Sequence, residues 1–454
     1  MLSKWLDQFN DLNNRPTVSR LIHNLTWIML ERLLQVLLSV GVGMMVARHL
    51  HPNGMGVLFT IQATIGVLSI PILMGMDPIA LQWMTRYPRQ WDRILRAAMY
   101  PRWVLAIGMG VIVLVGGFGI PDGVSWPILV LMGVHGMGLS MGIMSRALES
   151  RHETHLVSKI NLAILLVGAI LKYIGVMSHQ GVPWFYGVIV GEVLLIACCQ
   201  LSILWQRGFR LWGGGARLIK PLLIQAWPHM MGMGVVLLYQ RLDQGMVYLL
   251  SGNVEAGYYG VATRLSEYVT MIPMALFPVL SPIFTALKVN NKTVFLHRLS
   301  QLSVGMMIVG GAVLGLMWLI APWGIPLAFG PLFAPAVPIF RVHCLAMFFF
   351  FQVIVLMIYT MNCKTQLYKL ALDVVALLLN IALNWMLIPK WGGVGAAWAT
   401  VVAYAFVMGV GPWVFNATRD MGRIQWRVVE VAVWRDLLGL VVNQIQALRG
   451  KPLL

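Results

Sequence analysis

Charge is what this chain has least of. Asp, Glu, Lys and Arg make up 11% of its 454 residues, and only 16 of them are acidic. A soluble domain carries about 25% charged residues, so a 59% hydrophobic chain has too little polar surface to fold in water as a compact soluble body. Cysteine is also scarce. Cys198 and Cys199 are neighbours in one apolar run, and Cys344 and Cys363 lie in or at the end of another, a spacing that builds neither a disulfide framework nor a zinc site. No Walker phosphate loop, Gly-x-Ser-x-Gly elbow or His-Glu-x-x-His helix is present, which excludes direct ATP hydrolysis and the commoner hydrolase routes. The pairs His49/His51 and His152/His155 lack the carboxylate and cysteine arrangement of zinc sites, so loop solvation accounts for them. The expectation is a non-enzyme with no metal and no cofactor.

What the chain has is long hydrophobic runs. A bilayer core about 30 Å thick needs about 20 apolar residues per helix. Twelve runs meet that length, near 20–47, 54–83, 97–118, 124–145, 156–177, 183–205, 222–250, 256–285, 299–321, 335–361, 367–388 and 393–416. The fold class is therefore all-α integral membrane.

The basic residues fall in every second gap. Arg86, Arg89, Arg93 and Arg96, then Arg146 and Arg151, then Arg207, Arg210, Arg217 and Lys220 share one side with Lys288, Lys292, Arg298, Lys364 and Lys369. Counting both ends of the chain, that side holds 24 basic residues, and the other holds only Arg48 and Lys390. The positive-inside rule then places both termini in the cytoplasm. It also explains the +17 net charge without nucleic acid, because the charge sits in short loops beside membrane spans.

The stretch 206–220, with Trp212, Gly213, Gly214 and Gly215 among four basic residues, is too polar to insert. It divides the chain into an N-lobe of helices 1–6 (20–205) and a C-lobe of helices 7–12 (221–416). Residues 1–19 carry Leu2, Trp5, Leu6, Phe9 and Leu12 at helical spacing, which predicts a cytoplasmic interfacial helix. The tail 417–454 is amphipathic but interrupted by charge; an interfacial helix is the main reading and a thirteenth span the alternative. Span 1 ends at His51-Pro52-Asn53-Gly54, with Gly56 and Pro71 beyond; span 7 ends at Ser251-Gly252-Asn253, with Gly257 and Pro273 beyond. With six spans in each half, such a repeat is parallel, an arrangement common in secondary transporters.

A charge at the centre of a spanning helix costs about 2.5–3.5 kcal/mol on insertion scales, so each charge within a span needs a partner or a wet cavity. These are Glu31, Arg32, Asp77, Lys159, Lys172, Glu192, Arg241, Asp243, Arg264, Glu267, Arg341 and Asp373. Arg241 and Asp243, two residues apart, point about 200° apart on a helix and must have different partners. Either Arg241 lines a cavity that receives an anion while Asp243 holds another cation or takes up a proton, or the two are interhelical ties that lock spans together. Arg264 and Glu267, three apart, have the spacing to pair along one face. Glu31 and Arg32 have the choice of several neighbouring helices.

Three stretches carry a family likeness. Ala47-Arg48-His49-Leu50-His51-Pro52-Asn53-Gly54-Met55-Gly56 resembles the first external turn of bacterial polysaccharide flippases, with His51 where Gly is usual and Met55 where Tyr is usual; both exchanges fall in a loop. Arg241-Leu242-Asp243-Gln244, followed by Gly257-Tyr258-Tyr259-Gly260-Val261-Ala262-Thr263-Arg264-Leu265, resembles their seventh-to-eighth span signature. The block from Asn380-Ile381-Ala382-Leu383-Asn384 through Gly392-Gly393-Val394-Gly395 to Thr400 is similar to their eleventh-to-twelfth span block. The resemblance is to the multidrug/oligosaccharidyl-lipid/polysaccharide exporter superfamily. It implies about twelve helices in two six-helix lobes around a central cavity, and movement of an undecaprenyl-pyrophosphate-linked oligosaccharide from the cytoplasmic to the periplasmic leaflet of the inner membrane. It also implies a cation-lined cavity, for which Arg241, Arg32, Arg264 and Arg341 are the candidate substrate-binding residues. Asp243, Glu31, Glu192, Glu267 and Asp373 are the candidate coupling or structural carboxylates. The expected partners are membrane lipid, the lipid-linked glycan and other membrane proteins of glycan assembly. A cation antiporter of the same superfamily is the alternative. A membrane polymerase or ligase is a more distant one, because the longest external gap, about 322–334, has no charged residue.

The charge bias predicts labelling. In a background without the native cysteines, single cysteines at Asp122, Gln180 and Gly252 should react with an impermeant thiol reagent from the periplasm, and cysteines at Gln90, Ser150 and Gly214 should not. The opposite pattern would reverse the orientation.

Overall fold

The computed structural model describes the backbone of residues 16–116 and 126–426, with side chains from residue 34 onward. Residues 1–15 and 427–454, which contain most of the interfacial segments expected at the two ends, lie outside the described residues, as do the side chains of Glu31 and Arg32. Every regular element among the described residues is helical. Hydrocarbon offers no partner for a free N–H or C=O, so a spanning chain satisfies its backbone within each helix. Among the described residues, nine helical stretches are long and apolar enough to cross a membrane. Three of them are interrupted at a turn read from the sequence. Helix α1 (Pro16–Leu73) breaks at His51, α8 (Ala216–Glu267) at Gly252, and α13 (Gln366–Ala405) at Gly392. At the third break the chain doubles back so tightly that a Cβ on Gly395 would lie 2.5 Å from the Leu387 carbonyl oxygen.

The described residues form two compact units. One comprises residues up to His49, Pro71 to the end of α3 (Trp91–Gly116), and the chain from α4 (Trp126–Met141) to His229; the other comprises Leu50–Ile70 and the chain from Met230.

In the first unit, α2 (Asp77–Arg86), α3, α5 (Met144–Ser150) and α7 (Val182–Gln206) close on an apolar core that includes Met76, Leu95, Met144, Leu148 and Leu204. Asp77 opens α2 at the edge of this core. It accepts from Arg102 at 2.5 Å and lies 3.6 Å from Arg146. Arg102 is fully buried and also donates to the Leu73 carbonyl. Between α6 (Thr154–Met177) and α7, Lys172 meets Glu192 at 2.6 Å. A Cβ on Gly168 would sit 1.6 Å from the Glu192 carboxylate, so the ion pair depends on that glycine. The basic stretch 206–220 packs on this unit: Arg96 donates to the carbonyls of Gly214 and Arg210 at 2.9 Å each and pairs with Asp92, and Tyr100 donates to the Leu211 carbonyl.

The second unit continues through α9 (Met271–Asn290), α10 (Lys292–Phe329), α11 (Ala336–Phe350), α12 (Val353–Cys363), α13 and α14 (Arg419–Trp426). Asn291 caps α10 by accepting from the amides of Thr293 and Val294, which satisfies donors that a helix start leaves open. α14 is held by Trp426 Nε1 donating to the Gly409 carbonyl and by Lys292 at 3.5 Å from Asp420.

The two similar turns of the sequence meet inside this second unit. A Cβ on Gly56 would lie 1.8 Å from the Asn253 carbonyl oxygen, and one on Gly257 would lie 2.0 Å from the Pro52 carbonyl oxygen. Each turn therefore seats its glycine on the other's backbone. Their breaks match as well, with Gly252 at φ 85°, ψ 178° and His51 at φ 56°, ψ 176°. This is a backbone region essentially reserved for glycine. The exchange of Gly for His at position 51 is thus no relaxed loop substitution, as its loop position alone implied, because the hinge holds an L side chain in a glycine conformation.

His51→Gly should therefore raise the thermal midpoint of the detergent-solubilised protein, since such strain costs about 1–3 kcal/mol. Gly56→Ala and Gly257→Ala should each lower it sharply. Size-exclusion profiles after heating would check both.

Candidate functional site

Helix α8, the part of α1 after its break, and α13 bring charged and polar residues together in the second unit. They form two clusters that share the segment Tyr239–Gln244.

The first cluster is cationic. The aliphatic stem of Arg241 lies over Gly66, where a Cβ would be 3.2 Å from Arg241 Cγ and 3.5 Å from Cδ. Its guanidinium makes no hydrogen bond or ion pair within the described residues. Arg264, beyond the break at Gly252, donates from Nη2 to Gln62 Oε1, and its guanidinium carbon stands 4.0 Å over the Phe59 ring. Arg241 acts electrostatically on Arg264, and Glu267 lies in range of both. The spacing of Arg264 and Glu267 allowed an ion pair along one helix face, but the structure replaces it: a neutral amide and an aromatic face hold the guanidinium. Two like charges thus stand together without a carboxylate in direct contact, an arrangement that attracts an anion.

The second cluster is built on Asp243. Its carboxylate is buried and accepts from Asn384 Nδ2 at 2.7 Å, Thr400 Oγ1 at 2.7 Å and Tyr259 Oη at 3.1 Å. The expected divergence from Arg241 is realised here, with three neutral donors in place of a cation. Asn384 also donates to Asn380 Oδ1 at 3.0 Å, while Asn384 Oδ1 and Asn380 Nδ2 are buried without partners. The carboxylate is met by two hydroxyls and an amide N–H, and its oxygens are hard donors suited to a proton or an alkali or alkaline-earth cation. Among the described residues, no group of three or more His, Cys, Asp or Glu is placed to hold a metal ion. Tyr239 links the cluster outward, donating to the Thr400 carbonyl at 3.3 Å and packing edge-on against Tyr404.

The remaining candidates take other partners. Asp373 is paired with Lys369 on the same face of α13, beside a cavity of about 100 Å³ also lined by Tyr239, Gln240 and Tyr404. Lys369, read from the sequence as a loop cation, is in the first turn of α13. Arg341 stacks at 4.1 Å over Trp318 and donates to its carbonyl at 3.2 Å, so it belongs to the α10–α11 contact and not to the Arg241 cluster. Glu192 is neutralised by Lys172 in the first unit. Glu31 and Arg32 are outside the described side chains.

Sequence reasoning missed Gln62, Phe59 and Gly66, which carry no charge, and it passed over Arg102 within the third span. Asn380, Asn384 and Thr400 lay in the block of family likeness, and two amides four residues apart in an apolar run was the signal that they share a face.

Comparison with known proteins gives the arrangement its context. A family model described as "Polysaccharide biosynthesis protein" matches residues 21–288. No curated protein matches the chain. Among solved structures, the lipid II flippase MurJ in an inward closed conformation aligns with a TM-score of 0.67 at 13% identity, covering 91% of this chain and 93% of that one. An inward-facing multidrug resistance MATE family transporter of the MOP superfamily aligns with a TM-score of 0.64 at 10% identity, covering 88% and 96%. An outward-facing one aligns with a TM-score of 0.58 at 10% identity, covering 90% and 94%. At these identities the structural likeness establishes the fold, and the family model spans more than half of the chain. The chain belongs to the polysaccharide biosynthesis protein family and has the fold of the MOP superfamily transporters.

Proposed function

We propose that this protein flips an undecaprenyl-pyrophosphate-linked oligosaccharide from the cytoplasmic to the periplasmic leaflet of the bacterial inner membrane, for O-antigen, capsule or exopolysaccharide assembly. One observation carries the reading. Arg241 and Arg264 stand within electrostatic reach of each other, and neither is in contact with a carboxylate. Glu267 is in electrostatic range of both and offsets one of the two charges; the remaining excess is costly in an apolar unit unless an anion joins it, and a pyrophosphate offers oxygens on both phosphorus atoms to guanidinium forks. The membrane potential, worth about 2.3 kcal/mol per charge per 100 mV, drives an anion outward. The family model and the fold likeness to a lipid II flippase support the same cargo class.

Asp243 serves coupling in this scheme. A buried carboxylate held only by neutral donors gains most from a proton or a hard cation, whose arrival or departure would bias the position of α8 against α13. The same carboxylate favours the second reading, a cation antiporter of the superfamily. The two readings differ in what the arginines are for, because an exporter of cations has no use for an arginine pair with excess positive charge.

Deletion of the gene should leave lipid-linked oligosaccharide on the cytoplasmic face while its synthesis continues, with surface glycan lost and cationic dye efflux unchanged. Loss of efflux with intact surface glycan would establish the antiporter.

Arg241→Ala should lower export by about 10- to 100-fold, the worth of one charged hydrogen bond at about 1.5–3 kcal/mol. Arg241→Lys should fall between the two, because an ammonium does not reproduce the planar fork. Glycan export measured against membrane abundance separates loss of the anion contact from loss of the protein.

Asp243→Asn should leave the protein inserted and export reduced, and export should no longer respond when the proton or sodium gradient is collapsed. A retained response would move coupling away from Asp243.

A further inference from the structure

Phe59, Gln62 and Gly66 occupy positions i, i+3 and i+7 of α1 after its break, which places them on one face of the helix. Each meets an arginine of α8. Phe59 lies under the Arg264 guanidinium at 4.0 Å and fits into a notch at Gly260, where a Cβ would be 2.1 Å from its ring. Gln62 accepts from Arg264. Gly66 makes room for the stem of Arg241. One helix face therefore orients both cations, and it does so with a π surface, an amide oxygen and a missing side chain.

The chemistry at position 62 decides what the arrangement can bind. A carboxylate there would form a two-pronged ion pair with Arg264 and cancel its charge, whereas an amide oxygen offers a dipole that aims the guanidinium and leaves its charge uncompensated. The balance is narrow: Glu267 lies within electrostatic range of both guanidinium groups, so a further carboxylate at position 62 would offset the positive charge that remains.

We propose that Gln62 is a specificity-determining residue: its neutral amide holds Arg264 in place while keeping the Arg241–Arg264 pair selective for an anionic pyrophosphate headgroup. The inference rests on the arginine reading under Proposed function and adds to it the residue that keeps the site cationic.

The test is binding of farnesyl pyrophosphate, with farnesol as the neutral control, to the full-length protein in detergent. Gln62→Glu should weaken farnesyl pyrophosphate binding at least tenfold and leave farnesol binding unchanged, a difference that a packing role for Gln62 would not produce. Gln62→Met, which removes the acceptor without adding charge, should weaken pyrophosphate binding about two- to fivefold, and it carries the test if the glutamate variant does not fold. Thermal midpoints provide the folding control. If Arg264→Ala loses pyrophosphate binding while Gln62→Glu and Gln62→Met bind as the wild type does, the role of Gln62 is overturned and the arginine reading stands. If Arg264→Ala itself binds as tightly as the wild type, the arginine reading fails and this inference fails with it.

Discussion

The cost of an uncompensated charge in a low-dielectric interior governs the interior of this protein. Several charges are met by their opposites: Asp77 by Arg102 and Arg146, Glu192 by Lys172, Asp373 by Lys369. The first two tie separate helices together, and removing one partner would strand the other charge. Against that background Arg241, Arg264 and Asp243 stand out. Their neighbours are a glycine, an aromatic ring, amides and hydroxyls, groups that position a charge without cancelling it.

Close approach of helices is the second condition, and glycine provides it. Helices in lipid associate without a hydrophobic drive, so they depend on contact area and on backbones that touch. Gly56 and Gly257 let two turns cross at van der Waals distance, Gly168 admits the Glu192 carboxylate, and Gly66 admits the stem of Arg241. In the last two cases the glycine determines where a charge can lie, so packing and electrostatics are settled by the same residue. His51 shows the opposite case, a side chain placed where the backbone calls for glycine, and its cost is borne at a hinge between two helices.

The arrangement also separates two tasks within one helical segment. Arg241 and Asp243 are two residues apart on α8, and helical geometry sends them to different neighbours: α1 on one side and α13 on the other. Under the proposed function, one helix would link the anion site to the coupling carboxylate.

The membrane class, the helical architecture and the position of the three tight breaks were legible in the sequence, because they depend on quantities carried by local stretches of chain: run length against bilayer thickness, and turn residues between runs. The divergence of Arg241 from Asp243 was legible too, since 100° per residue is a property of any helix. Partner choice was not. The spacing of Arg264 and Glu267 permitted a pair, yet Arg264 went to Gln62 and Phe59, some 200 residues earlier in the chain. Arg341 shared the composition of the other candidates but settled on Trp318. Which face of one helix meets which face of another is decided by packing across long sequence separations, and that is where the tertiary structure alone selected which charges would meet an opposite charge and which would meet neutral groups.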